Sequence, residues 1–190
     1  MNFKGEDDGG ARYESSDTMW KIELDPEVKK LHEELTGTKI KTVGTKEDWY
    51  NGSVKYWNEQ PATVDGVLGG YEVVHQADSE TSAVMIDEFA DRISGFNTAV
   101  DMGAGIGRIA KTTLIPRFAE VDLVEPAEIQ IKKAEANVPQ IRKFYMCGMQ
   151  DFVYERSYDC VWIQWCAMYL TDADLTDFMV RTRDNLTVTD

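Results

Sequence analysis

The sequence predicts an α/β fold on a parallel, doubly wound sheet. Two observations carry this: from residue 98 onward short apolar segments alternate with single helical patterns, and a glycine turn joins the first segment to its helix. Strands that are apolar throughout, rather than alternating, belong to parallel sheets covered on both faces.

Taken in order, residues 1 to about 18 are polar and read as a disordered tail. Residues 20–24 alternate apolar and polar, as a short strand or a docking tail would. Asp25 then has the character of an N-cap, with Pro26 in the first helical position, Val28, Leu31 and Leu35 at helical spacing, and Gly37 as the stop. Residues 38–44 are small and basic, a linker, so 1–44 is an extension and 45–190 the compact domain. Residues 46–58 read as one helix or as two turns interrupted at Gly52, ended by Pro61. Gly66, Gly69 and Gly70 punctuate 63–71. A helix is expected over 79–93, capped by Ser79 or Thr81, with Val84, Met85, Glu88, Phe89 and Ile93 as its repeating face and Gly95 as the stop. Strands follow at 98–102, 121–125, 143–147 and 158–165, with helices at 107–118, 127–137 and 172–186.

With 190 residues, 43% of them hydrophobic and 28% charged, the chain suits one globular domain. Three cysteines without paired spacing point to a reducing compartment rather than a disulfide framework. A net charge of −14 disfavours nucleic acid as the main partner and suits a cationic one. The first residues carry no apolar signal-peptide core, and no window approaches a membrane span. His32 and His75 lie in unrelated segments, giving no zinc spacing, so no metal is expected. Cys147, Cys160 and Cys166 read as small core residues.

The densest signal is VDMGAGIGR at 100–108. Glycines at a strand-to-helix turn supply positive φ and let the backbone approach a ligand closely. Their spacing is G-x-G-x-G, one residue short of the dinucleotide fingerprint. Glu125 ends the next strand, 20 residues after Gly105, where a carboxylate can accept both ribose hydroxyls of an adenosine. Arg108 adds positive charge at the positive end of a helix, which is unfavourable unless an anion is near. A ligand carboxylate would be such an anion, and S-adenosyl-L-methionine (SAM) has one where NAD has a pyrophosphate. Gln150 and Gln164 lie at strand ends, where ligand crevices of open sheets form.

Four segments together, YWNEQPATVDGVLGGY at 56–71, DMGAGIGRI at 101–109, QDF at 150–152 and WIQW at 162–165, resemble the protein α-N-terminal methyltransferases over about residues 46–186. The resemblance implies a Rossmann-like class I SAM-dependent methyltransferase sheet with added N-terminal helices. It also implies methylation of the α-amine of protein N-termini of Xaa-Pro-Lys type, in cytoplasm and nucleus. By resemblance, Gly103, Gly105, Arg108, Glu125, Met149, Gln150 and Gln164 line the cofactor pocket, Glu125 standing where the family commonly has Asp. Tyr56, Trp57, Leu68 and Trp165 would flank the acceptor peptide, Trp165 near its proline. Tyr169 stands where the family has a histidine, and is a weaker base. The family continues beyond the helix at 172–186 into further strands that carry acceptor-binding Asn and Asp residues, so the last strands of the sheet are expected to be missing. The strand at 158–165, apolar on both faces, would then be an exposed edge, which a protein partner could cover. Two other functions compete: a catalytically impaired, SAM-binding regulatory form, and a nicotinamide oxidoreductase.

Overall fold

The computed structural model describes residues 4–6, 10–37, 39 and 44–188. The chain divides into two compact units, residues 1–54 and 55–190.

The first unit departs from the disordered tail expected of its polar start. Strands β1 (Gly5–Glu6) and β2 (Arg12–Tyr13) form a short antiparallel pair. Helix α1 (Ser16–Leu24) replaces the strand expected at 20–24: Ser15 accepts the Thr18 N–H at 3.1 Å, and the helix buries Ile22 with Ala11 and Tyr13. Helix α2 (Pro26–Thr36) forms as expected. Asp25 Oδ1 accepts from Glu27 N (2.9 Å) and Val28 N (3.2 Å), and Gly37 closes the helix at φ 70°. Most of the expected 38–44 linker lies outside the described residues. Helix α3 (Lys46–Glu59) runs unbroken through Gly52, started by a reciprocal cap in which Thr45 N donates to Asp48 Oδ2 (2.8 Å) and Asp48 N to Thr45 Oγ1 (3.2 Å). Trp20 and Trp49 meet edge to face at 5.2 Å.

The second unit holds α4 (Val64–Val67), α5 (His75–Glu88), β3 (Thr98–Met102), β4 (Glu120–Val124), α6 (Glu128–Asn137), β5 (Lys143–Tyr145), β6 (Cys160–Ile163) and α7 (Asp172–Asp184). The four larger strands form a parallel sheet in the order β5-β4-β3-β6, with Val100 opposite Asp122 on one side and Val161 on the other. The chain leaves β3 to one side, then crosses back to place β6 on the other. This reversal opens a crevice at the carboxyl ends of β3 and β6. β3 is buried at every residue, and Ala99, Leu114, Val121, Leu123, Ile131, Ala134 and Val138 knit the sheet to its helices.

Three expectations need correction. Helix α5 begins at His75, so neither Ser79 nor Thr81 caps it. Its buried residues are Ser79, Ser82 and Ile86, while Val84 and Met85 of the expected apolar face are exposed. The helix turns its polar side inward because partners wait there, as described below. The helix expected at 107–118 contains a wide π-turn, Ala110–Leu114, where Ile115 N bonds Ala110 O at 2.9 Å. Strand β6 is shorter than 158–165; Tyr158 makes only an isolated parallel bridge to Leu186, and β6 is half-buried at the sheet edge among the described residues.

Candidate active site

The turn after β3 carries three left-handed glycines, Gly103 (φ 65°), Gly105 (φ 56°) and Gly107 (φ 75°). Two of them are also sites of close approach. A Cβ on Gly103 would meet Cys166 Cβ and Sγ at 2.7 Å, and one on Gly107 would meet Val138 Cγ2 at 2.7 Å. Gly105 differs: its missing Cβ would meet only Val67 Cγ1, at 3.6 Å, so bare backbone there faces α4 across ordinary contact distance.

Strand β4 holds the turn in place. Ala104 N donates to Val124 O (3.1 Å) and Gly105 N to Glu125 Oε2 (2.8 Å), while Glu125 Oε1 accepts from Ala127 N (2.8 Å). Burial pushes the Glu125 carboxyl above its ordinary pKa, and the two N–H bonds oppose that shift. Each carboxylate oxygen keeps a second lone pair, so two hydroxyl donors can still be accepted. Asp101, at the end of β3, accepts from Ala110 N at 3.1 Å and is pushed up to about 7, chiefly by burial.

Arg108, expected at a helix start, is not solvated. Its Nη1 lies 2.5 Å from Asp78 Oδ2, with the two side chains 10% and 14% exposed. Asp78 Oδ1 accepts from Gln164 Nε2 (2.7 Å) and Trp165 Nε1 (3.2 Å), and Gln164 Oε1 accepts from Trp162 Nε1 (2.8 Å) and Ser82 Oγ (3.0 Å). Sequence reading missed Asp78, although Asp78 and Ser82 share a face four residues apart on α5 and could have marked a polar buried stripe.

The aromatics that the resemblance places beside the acceptor also gather. Tyr56 meets Trp57 edge to face at 5.2 Å, and Trp57 meets Tyr169 at 6.2 Å. Buried Gln130, also missed from sequence, anchors this end of α3 by donating to Trp57 O (3.0 Å) and Gln60 O (3.2 Å). Tyr169 stands three residues after Cys166, whose Sγ donates to Met102 O at 3.0 Å, which ties the aromatic corner to the glycine turn. Burial pushes the Tyr169 phenol above its ordinary pKa. Leu68 follows Val67, the residue against Gly105. Trp165 is 66% exposed and takes φ 61°, the single non-glycine residue with positive φ among the described residues. Met149 and Gln150 follow β5, and Arg181 donates to their carbonyls at 3.3 and 3.1 Å. Gln150 also lines a cavity of about 400 Å³ with Asp151, Phe152, Val153, Tyr154, Arg181 and Asn185. Burial raises the Cys160 and Cys166 thiols to about 12, in keeping with core positions. Among the described residues no helix is long and apolar enough to cross a membrane, and no cluster of metal-ligating side chains occurs.

A parallel sheet with a glycine turn at its switch point, an arginine opening the helix after that turn and an acidic residue ending the next strand places the chain among nucleoside-binding α/β folds, and the comparisons narrow this to the SAM-dependent methyltransferase class. A solved SAM-dependent methyltransferase from Leishmania major superposes with a TM-score of 0.80 at 36% identity, covering 98% of this chain and 71% of that one. Residues 45–189 match the family described as AdoMet dependent proline di-methyltransferase, and the chain belongs to that family. It is 35% identical to alpha N-terminal protein methyltransferase 1 of Dictyostelium discoideum, over 96% of this chain and 66% of the relative. It is 40% identical to N-terminal Xaa-Pro-Lys N-methyltransferase 1 of Bos taurus, over 74% of this chain and 67% of the relative. The chain thus spans about two thirds of the length of these relatives.

The residues present fit a SAM-type group. Gly105 offers bare backbone without a close neighbour, Glu125 has lone pairs for hydroxyl donors, and Arg108 supplies a cation for a carboxylate.

Proposed function

We propose that this chain binds SAM and methylates the α-amino group of protein N-termini of Xaa-Pro-Lys type. The observation that carries the reading is the joining of the glycine turn to an aromatic corner: Gly103 packs on Cys166, and three residues later Tyr169 packs on Trp57. One side suits a nucleoside with an amino-acid end, the other a proline-bearing peptide. The donor supplies an electrophilic methyl group on its sulfonium.

The chain's own residues do the rest. Arg108 and Glu125 hold the two ends of the donor. Trp57 and Trp165 offer ring faces to a proline and keep water from the amine. An α-amine has a pKa of about 7.7–8.0, so a fair fraction is already neutral, and alignment matters more than proton removal; holding reactants in line is worth up to ~7–11 kcal/mol. Tyr169, kept protonated by its raised pKa, serves by accepting a hydrogen bond from the amine rather than by taking its proton. The acidic balance of −14 draws in a lysine-bearing N-terminus.

Labelled SAM and a peptide beginning Ser-Pro-Lys-Arg test this. Methyl transfer to that peptide, and none to its Nα-acetylated form, is expected. Measurable S-adenosylhomocysteine binding without transfer would support a donor-binding regulatory role instead.

A further inference from the structure

The Arg108–Asp78 pair raises a question that donor binding alone does not answer: why does a buried carboxylate already sit on the arginine assigned to the ligand? Asp78 is engaged on both oxygens, by donors from two other parts of the fold: Arg108 on one, Gln164 and Trp165 on the other. A carboxylate that had to step aside for a ligand would break all three contacts at once. One that stays gives Arg108 a fixed direction. A guanidinium has five N–H donors, and among the described residues the hydrogen-bonded side-chain partner of Arg108 is Asp78 alone. Without that anchor the long side chain would regain its rotamer freedom.

We propose that Asp78 is a positioning residue of the donor site: by holding Arg108 Nη1 it turns the rest of the guanidinium fork toward the donor's carboxylate, and by the same group it sets Gln164 and Trp165. The inference rests on the SAM-binding reading above and adds to it a residue from α5, outside the glycine turn. Asp78 does not touch the reacting atoms; it acts through Arg108, so its removal affects the amino-acid end of a ligand and spares the adenosine end.

Calorimetric titration with S-adenosylhomocysteine, which carries the carboxylate, and with 5′-methylthioadenosine, which lacks it, separates these ends. In Asp78→Asn the first ligand is expected to bind about tenfold more weakly while the second changes less than twofold. Asp78→Glu keeps the charge but displaces it by one methylene, and is expected to show the same selective loss at about threefold; it supplies the comparison should the Asn variant not fold. Equal losses for both ligands would mean a general structural role and overturn the proposal. Unchanged or tighter S-adenosylhomocysteine binding would overturn it too, the latter showing that Asp78 competes with the ligand. If the native chain binds neither ligand, the proposed function falls and this inference with it; if the native chain binds and the variants show no selectivity, the inference falls alone.

Discussion

Glu125 Oε2 accepts the Gly105 amide at 2.8 Å, so the residue assigned to the ribose also shapes the turn that receives the nucleoside. Glu125→Gln keeps the size but replaces one acceptor oxygen with an NH2, which faces either the Gly105 or the Ala127 amide. A buried N–H left without a partner costs about 1–3 kcal/mol. The variant is therefore expected to unfold at lower denaturant and to bind S-adenosylhomocysteine at least about tenfold more weakly. Native-like affinity would show that the carboxylate serves the turn and not the ligand.

Gly103 and Gly105 share the left-handed conformation but not their surroundings, and this predicts different defects. Gly103→Ala places a Cβ 2.7 Å from both Cys166 Cβ and Sγ, so it carries backbone strain of about 1–2 kcal/mol plus an overlap the sheet must absorb. Gly105→Ala meets only Val67 at 3.6 Å and carries the strain alone. Denaturant midpoints should fall further for Gly103→Ala. Donor binding should fall at least as much for Gly105→Ala, whose methyl stands on the open face of the turn. Adding Cys166→Ala to Gly103→Ala should restore only part of the loss, because the Cβ overlap remains.

The sheet was legible because each strand is a local apolar run, and the glycine turn because it is contiguous: 98–102 matches β3 in full. The π-turn was not, because nothing local distinguishes Ala110–Leu114 from an ordinary helix. The inward face of α5 was misread for a related reason. Val84 and Met85 have the right spacing for a core, but Asp78 is held by Arg108 and Gln164, 30 and 86 residues away, and those partners decide which face turns in. Gln130 was missed likewise, its partners being the Trp57 and Gln60 carbonyls 73 and 70 residues back. What sequence patterning lacked was long-range polar pairing, and that is where much of the site lies.

Trp165 combines exposure of 66% with a backbone at φ 61°, a conformation that costs a non-glycine residue about 1–3 kcal/mol. A strained, exposed tryptophan contributes little to packing, so its conformation points to a task at the peptide side. Trp165→Gly removes strain and ring together. It is expected to melt within about 1 kcal/mol of the native chain, whereas a buried tryptophan would lose ~3–5 kcal/mol. The KM for a Ser-Pro-Lys-Arg peptide should rise several-fold while donor affinity changes less, because Arg108 and Gln164 still hold Asp78 once the Trp165 contact is gone. A large loss of stability would instead make Trp165 a structural residue.

Asp101 gives a pH dependence of definite sign. Burial raises its carboxyl from 3.8 to about 7, with the Ala110 amide and Arg108 opposing the shift and Glu125 adding to it. The folded state therefore prefers the protonated acid. The associated stability is complete below about pH 4 and is lost as pH rises through 7. Asp101→Asn is neutral throughout and its side-chain oxygen can still accept from Ala110 N. Other titrating groups are common to both chains, so the difference in unfolding free energy isolates this residue. It should be near its minimum at pH 4, grow in favour of the variant up to pH 7, and level off above at a value of a few kcal/mol, with ~1.4 kcal/mol per pH unit as the limiting slope. Urea titrations of both chains at pH 4.5, 6, 7 and 8 measure it. A difference that stays flat across that range would mean that Asp101 is ionised throughout, held by Arg108 rather than governed by its burial.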